Sequence, residues 1–156
     1  MNPYTREFYN QIGSAKKAEG WACEILQDKF GVLRPCALKE SGGDLVDSMG
    51  QMIEVKYDKG SKRTKNVALE ISAYGKLKGL SVSKSKYYFI ICMGVDYYVG
   101  KWIGCLINTN ILRVLSHDLS IIRGGDNDAT EMKLIPVTFL IENSEKIYPL
   151  SYNKDS

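Results

Sequence analysis

The chain has 156 residues, 44% apolar and 25% charged, with a net charge of +3, which suits one soluble globular domain over residues 1–156 with a sizeable core. No apolar run approaches the roughly 20 residues of a membrane span, and the polar start with Arg6 and Glu7 is unlike a signal peptide. Cys23, Cys36, Cys92 and Cys105 are widely spaced without a C-x-x-C pair, which points away from a disulfide framework or zinc site and towards reduced thiols in the cytoplasm.

In chain order, Ser14 is an available N-cap, and Ala18, Trp21, Ala22, Ile25, Leu26 and Phe30 recur at helical spacing. They predict a helix over residues 14–30 that stops at Gly31. Glu19 lies beside the apolar stripe, either solvated on the helix flank or leaning over a sheet towards Asp44. Residues 32–39 read as a short strand or an extended linker, at an edge because of Pro35. Ser41-Gly42-Gly43 is a turn that lets the backbone approach a neighbour closely.

Residues 42–56 then read as two strands joined by a tight turn. In the second, Ile53, Val55 and Tyr57 face one way, and Met52, Glu54 and Lys56 the other. If Ser48, Met49 and Gly50 form the turn, the pairing centres on Met49 and sets Asp44 opposite Glu54. Asp47 is an odd number of residues from Asp44, so a regular strand points it to the other face. Two carboxylates and the Lys56 ammonium then converge on one patch, where a divalent cation and a phosphate could be held. The same residues would also make an ordinary polar strand face, since Glu-x-Lys is a common triplet.

Residues 59–65 form a basic loop without apolar periodicity. Residues 66–72 alternate as a third strand, which turns Glu70 away from its apolar set; Glu70 is either solvated or an outer ligand of the cleft. Residues 73–86 read as a loop with room for one helical turn, and residues 87–93 as a strongly apolar central strand in which Tyr87 and Tyr88 pack in the core. A glycine-broken strand follows at 97–107, a short helix at 108–115, a polar loop at 124–130, and a late strand at 133–141 that Pro136 assigns to an edge. The order of helices and strands predicts an α/β domain with a mixed sheet.

Lys59, Lys62, Arg63 and Lys65, and then Lys76, Lys78, Lys84 and Lys86, form a basic tract directly after the carboxylates. It reads as a solvated surface or, beside a metal site, as a surface for a phosphate backbone. His117 is the only histidine, beside Asp118, and there is no Gly-x-Ser-x-Gly elbow, which argues against serine-hydrolase and zinc chemistry. Asp126, Asp128 and Glu131 lack the order of a calcium loop.

Three of these stretches together resemble the PD-(D/E)XK nuclease superfamily, over about a third of the chain. Lys16-Lys17-Ala18-Glu19-Gly20-Trp21-Ala22 is similar to its first helix, Ser41-Gly42-Gly43-Asp44-Leu45-Val46 to its aspartate motif, and Ile53-Glu54-Val55-Lys56 to its catalytic triplet. Gly43 stands where many members have proline. The resemblance implies a restriction-endonuclease-like core at about residues 14–115, with a central mixed sheet flanked by helices in the order αβββαβ, and a strand extension over about 116–156. Carried over, Asp44 and Glu54 would bind Mg2+, or Mn2+ in its place, Lys56 would assist the attacking water, and Glu19 would support the metal site. The expected activity is Mg2+-dependent endonucleolytic hydrolysis of DNA, as a junction resolvase, restriction or homing enzyme. Cutting both strands would call for a homodimer or higher oligomer. A DNA-binding module of the same fold without chemistry, and an RNA nuclease, are the alternatives.

Overall fold

The computed structural model describes residues 15–36 and 43–150. The sequence folds as an α/β domain around a mixed six-stranded sheet, with a second sheet of four strands packed on one face. Helix α1 (Ala15–Ile25) and the single turn α2 (Gln27–Phe30) cover the other face. The helix expected over 14–30 thus breaks at Leu26. Gly31 ends the second piece, its N–H bonding the Gln27 carbonyl at 2.9 Å. Ser14, Ser41 and Gly42 lie outside the described residues.

Strands β1 (Arg34–Pro35), β2 (Leu45–Val46) and β3 (Met52–Tyr57) form an antiparallel meander, with β1 at the sheet edge. The β2–β3 register pairs Leu45 with Ile53 and Val46 with Met52, so it is centred on Met49 as the alternation predicts. Helix α3 (Ser61–Thr64) is a single turn that replaces the irregular loop expected over 59–65. Asp58 organises it: one carboxylate oxygen accepts the Ser61 amide at 3.0 Å and the other accepts the Ala68 amide at 2.8 Å. An acidic side chain satisfying the first amide of a helix nucleates that turn without apolar periodicity, and the second bond ties the turn to Ala68.

The chain then leaves the central sheet. Strand β4 (Asn66–Ala73) pairs with the short β5 (Lys76–Leu77) and with β9 (Thr130–Pro136), whose other neighbour is β8 (Ile121–Gly124). The third strand is real, but it belongs to the second sheet, beyond a connection that a meander would not need. Between Glu70 and Ser72 a bulge shifts the register against β9. It ends the alternation of the strand's first half, and both Ser72 and Ala73 are buried.

Strand β6 (Tyr87–Met93) returns to the central sheet parallel to β3, and β7 (Trp102–Asn108) follows antiparallel to it. Every residue of β6 is buried, because both of its faces are covered. Tyr87, Phe89 and Ile91 meet Ala18, Trp21, Ala22 and Ile25 of α1. Tyr88, Ile90 and Cys92 meet Val67, Leu69 and Ile135 of the second sheet. The strand expected over 97–107 starts only at Trp102; its first part is a tight turn at Asp96–Tyr98.

Helix α4 (Thr109–His117) begins after Asn108, whose side-chain oxygen accepts the Asn110 amide at 2.8 Å. The late strand ends at Pro136, and residues 137–141 belong to helix α5 (Val137–Asn143). Proline has no amide to continue a ladder, so it closes β9 and fixes the extended backbone before the first helical turn. It does not mark an edge, because β9 lies between β4 and β8. Strand β10 (Lys146–Pro149), which the alternation did not reveal, completes the central sheet beside β7. The four cysteines are free thiols, with Cys92 and Cys105 buried. Among the described residues no helix is long and apolar enough to cross a membrane.

Candidate active site

The β2–β3 hairpin brings Asp44, Glu54 and Lys56 to one patch. Asp44 sits just before β2, with its amide bonded to the Ile53 carbonyl at 3.0 Å. Its carboxylate Oδ2 accepts the Val55 amide at 2.8 Å, which ties the side chain to β3. The Glu54 carboxyl lies close enough for Asp44 to raise its pKa. Lys56 Nζ stands 3.9 Å from Glu54 Oε2, a long ion pair whose side chains are 43% and 20% exposed respectively.

The electrostatics follow from this crowding. Glu54 is pushed up from 4.5 to about 8, first by burial, then by the hydrogen bond and negative charge of Asp44. Lys56 pulls it back in part, and Glu19 adds a smaller push upward. At neutral pH the pair therefore holds a proton where it has too little positive charge nearby.

Asp47, the other acid of the hairpin, works in the turn. Its Oδ1 accepts the Met49 amide at 3.0 Å and the Gln51 amide at 2.8 Å. Glu19 is on α1, which covers the opposite face of the sheet; it lines a mostly apolar cavity of about 340 Å³ with Cys23, Pro35 and Leu45. Its charge reaches Glu54. Glu70 lies on β4 opposite Met132, and no hydrogen bond or ion pair among the described residues joins it to the hairpin acids.

The basic residues divide into three places. Lys84 and Lys86 flank Ser85 in the segment that leads into β6, and this segment is held against the hairpin. The Lys86 amide bonds the Met52 carbonyl at 2.9 Å, and a Cβ on Gly43 would come within 2.2 Å of Ser85 Oγ. Lys59, Lys62, Arg63 and Lys65 surround α3 beyond the far end of β3, all exposed. Lys76 and Lys78 are exposed on and just after β5, at the edge of the second sheet.

Tyr88 joins the site without any signal in the sequence. Parallel pairing sets it beside Glu54, and it is 1% exposed. Its hydroxyl is buried without a well-formed hydrogen bond, although Ser83 lies near enough to lower its pKa in part. Burial, and then the charge of Glu54, push that hydroxyl up to about 12, so it stays a donor. For Asp58 the sequence does carry a signal, since its spacing of three residues to Ser61 is the pattern of a side chain that caps a turn. His117 and Asp118 meet at 3.0 Å but are almost fully solvated, which does not make a hydrolase site.

Among the described residues no group of three or more histidine, cysteine or acidic side chains is arranged to hold a metal ion. The donor set does suit a hard cation: two carboxylates from the two arms of the hairpin, one desolvated and short of positive charge. Models of known protein families and the curated proteins give no match to this chain.

Proposed function

We propose that this protein is a divalent-metal-dependent endodeoxyribonuclease with a restriction-endonuclease-like core. The observation that carries the reading is the meeting of Asp44, Glu54 and Lys56 on one patch, with Glu54 raised to about 8. The element order supports it: α1, three antiparallel strands, then β6 parallel to the third. The crossover differs from the αβββαβ order, because the second sheet occupies the place of its helix.

Asp44 and Glu54 would hold Mg2+, or Mn2+ in its place. Bound there, the cation supplies Lewis-acid stabilisation of charge on the phosphate and lowers the pKa of water. Asp44 is held in place by the Val55 amide, so its carboxylate is fixed before substrate arrives. Lys56 orients the attacking water and offsets negative charge as it builds on the phosphate. Lys84 and Lys86, beside the hairpin, would contact phosphates near the scissile one, and the lysines around α3 phosphates further along the strand. Glu19 contributes negative charge at a distance. Double-strand cutting by a domain of this size calls for a homodimer or larger assembly.

The test is nicking of supercoiled plasmid with Mg2+. Wild-type protein nicks, while Asp44→Asn and Lys56→Ala do not. Nicking that survives unchanged in both variants defeats the assignment. A panel of four-way junction, flap, linear duplex and RNA then identifies the preferred substrate. The second reading, a DNA-binding module without chemistry, draws on the finding that among the described residues no third acidic side chain joins Asp44 and Glu54 in a metal-binding group. Salt-dependent binding with no cleavage in Mg2+ or Mn2+ is its signature.

A further inference from the structure

The β6–β7 turn carries two features that the hairpin site does not use: an exposed aromatic ring and a backbone built to hold it. Tyr97 is 85% exposed and Val99 is also exposed. The ring of Tyr97 rests edge-on against that of Tyr98, with centroids 5.1 Å apart. Tyr98 is half-buried and packs on the core between the two sheets. The inner ring thus anchors the turn and the outer ring is presented to solvent.

The turn itself is tightly bonded. The Gly94 amide bonds the Lys101 carbonyl at 2.7 Å, and amides of Tyr98, Val99 and Lys101 close successive turns. Gly94 is required, since a Cβ there would lie 2.4 Å from the Tyr98 carbonyl oxygen. Asp96 adopts φ +54°, a left-handed conformation that aspartate tolerates better than most residues. A ring held in this way loses little freedom on binding.

The same end of the sheet carries cations. The Met93 amide, one residue before the turn begins, bonds Ser61 Oγ of α3 at 2.9 Å. Lys59, Lys62 and Arg63 are therefore at the same end of the sheet as the turn, with Lys101 on the turn itself. Asp96 and the nearby Asp58, whose two oxygens are tied to amides, add two negative charges there, and the four cations outnumber them. From Tyr88, level with Glu54, to Met93 the strand advances roughly 17 Å at about 3.3 Å per residue. That is about five nucleotide steps along a strand at ~3.4 Å each.

We propose that Tyr97 is a stacking platform for an unpaired base of DNA, with Lys59, Lys62, Arg63 and Lys101 holding the adjoining phosphates. The combination of an aromatic face with flanking cations is the chemistry by which single-stranded nucleic acid is bound without sequence readout. The platform rests on the nucleic-acid reading of the hairpin site and makes it selective for substrates with unpaired bases, such as branch points or single-stranded ends.

The test uses the whole protein in EDTA, so that no cleavage occurs, with a 20-mer containing 2-aminopurine as a single strand and as a duplex. The expected result is quenching of the single strand on binding, and a loss of roughly tenfold or more in its affinity in Tyr97→Ala. Tyr97→Trp retains the affinity, and duplex binding is unaffected by either change. Lys62→Ala with Arg63→Ala weakens both substrates and flattens the salt dependence. If Tyr97→Ala binds the single strand as wild type does while the basic variant is weakened, the platform is refuted and the nucleic-acid reading stands. Equal loss on single strand and duplex also refutes it. If wild-type protein binds neither DNA, both proposals fall.

Discussion

Asp44 and Val55 are joined by a hydrogen bond from the Val55 amide to the Asp44 carboxylate, 2.8 Å long, across the β2–β3 hairpin. One acid thus serves both the fold and the candidate chemistry. These two duties separate by substitution. Asp44→Ala leaves the part-buried Val55 amide without its acceptor and should lower stability by about 1–3 kcal/mol. Asp44→Asn keeps an acceptor and should unfold close to wild type in urea. Both should lose metal-dependent nicking. If Asp44→Asn is as unstable as Asp44→Ala, the bond does not hold the hairpin as described.

Glu54 makes the metal-free protein sensitive to pH. Its folded pKa, raised to about 8 by burial and by Asp44, exceeds its ordinary 4.5. The folded state then keeps a proton that the unfolded chain releases. The stability from this group is fully present below about pH 4.5 and is lost as pH rises through about 8. With chelator present, wild-type melting temperature should fall across that window relative to Glu54→Gln, which cannot release the proton. Parallel profiles for the two proteins would contradict the raised pKa.

Lys56 tests the chemistry more narrowly than the carboxylates do. Its ion pair with Glu54 is long and partly solvated, so Lys56→Ala should change stability little. The single-turnover cleavage rate should fall on the order of 10²–10³-fold if the ammonium acts on the developing charge. A change of less than threefold, with DNA affinity retained, would remove Lys56 from the reaction.

Gly43 and Ser85 should be coupled. A methyl group at 43 would lie 2.2 Å from Ser85 Oγ and 3.1 Å from the Ile53 carbonyl oxygen. Gly43→Ala should destabilise by about 1–3 kcal/mol, because the segment before β6 must move off the hairpin. Ser85→Ala in the same chain should recover part of that loss, giving a coupling of about 0.5–3 kcal/mol in a double-mutant cycle. Additive effects would show that the two segments do not press together.

Asp58 holds a part of the fold away from the hairpin acids. Removing its carboxylate in Asp58→Ala frees the Ala68 amide and leaves the Ser61 amide only its 3.3 Å bond to the residue 58 carbonyl, and should cost about 1–3 kcal/mol. Amide exchange should then speed up at residues 61–64 more than in β6. Uniform acceleration throughout the domain would mean that α3 is not a separate element.

Local chemistry made much of this protein readable in one dimension. The alternation of residues 52–57 and a turn of three residues determined that the hairpin centres on Met49, and so that Asp44 and Glu54 face each other. The unbroken apolar run of residues 87–93 determined a strand covered on both faces, and Asn108 marked a helix start. Each of these depends on a period or on a side chain's bond to its own neighbours, which the order of residues contains. Beyond that hairpin, tertiary structure alone decided which strands pair. Nothing near β4 announces that it joins β9, far along the chain, and not β3. The same holds for β10, whose short run acquires meaning only from the open edge of β7. Tyr88 is the sharpest case. Its burial could be read from the apolar run, but its position beside Glu54 arises from a parallel register set by packing on two faces, and no local period encodes that.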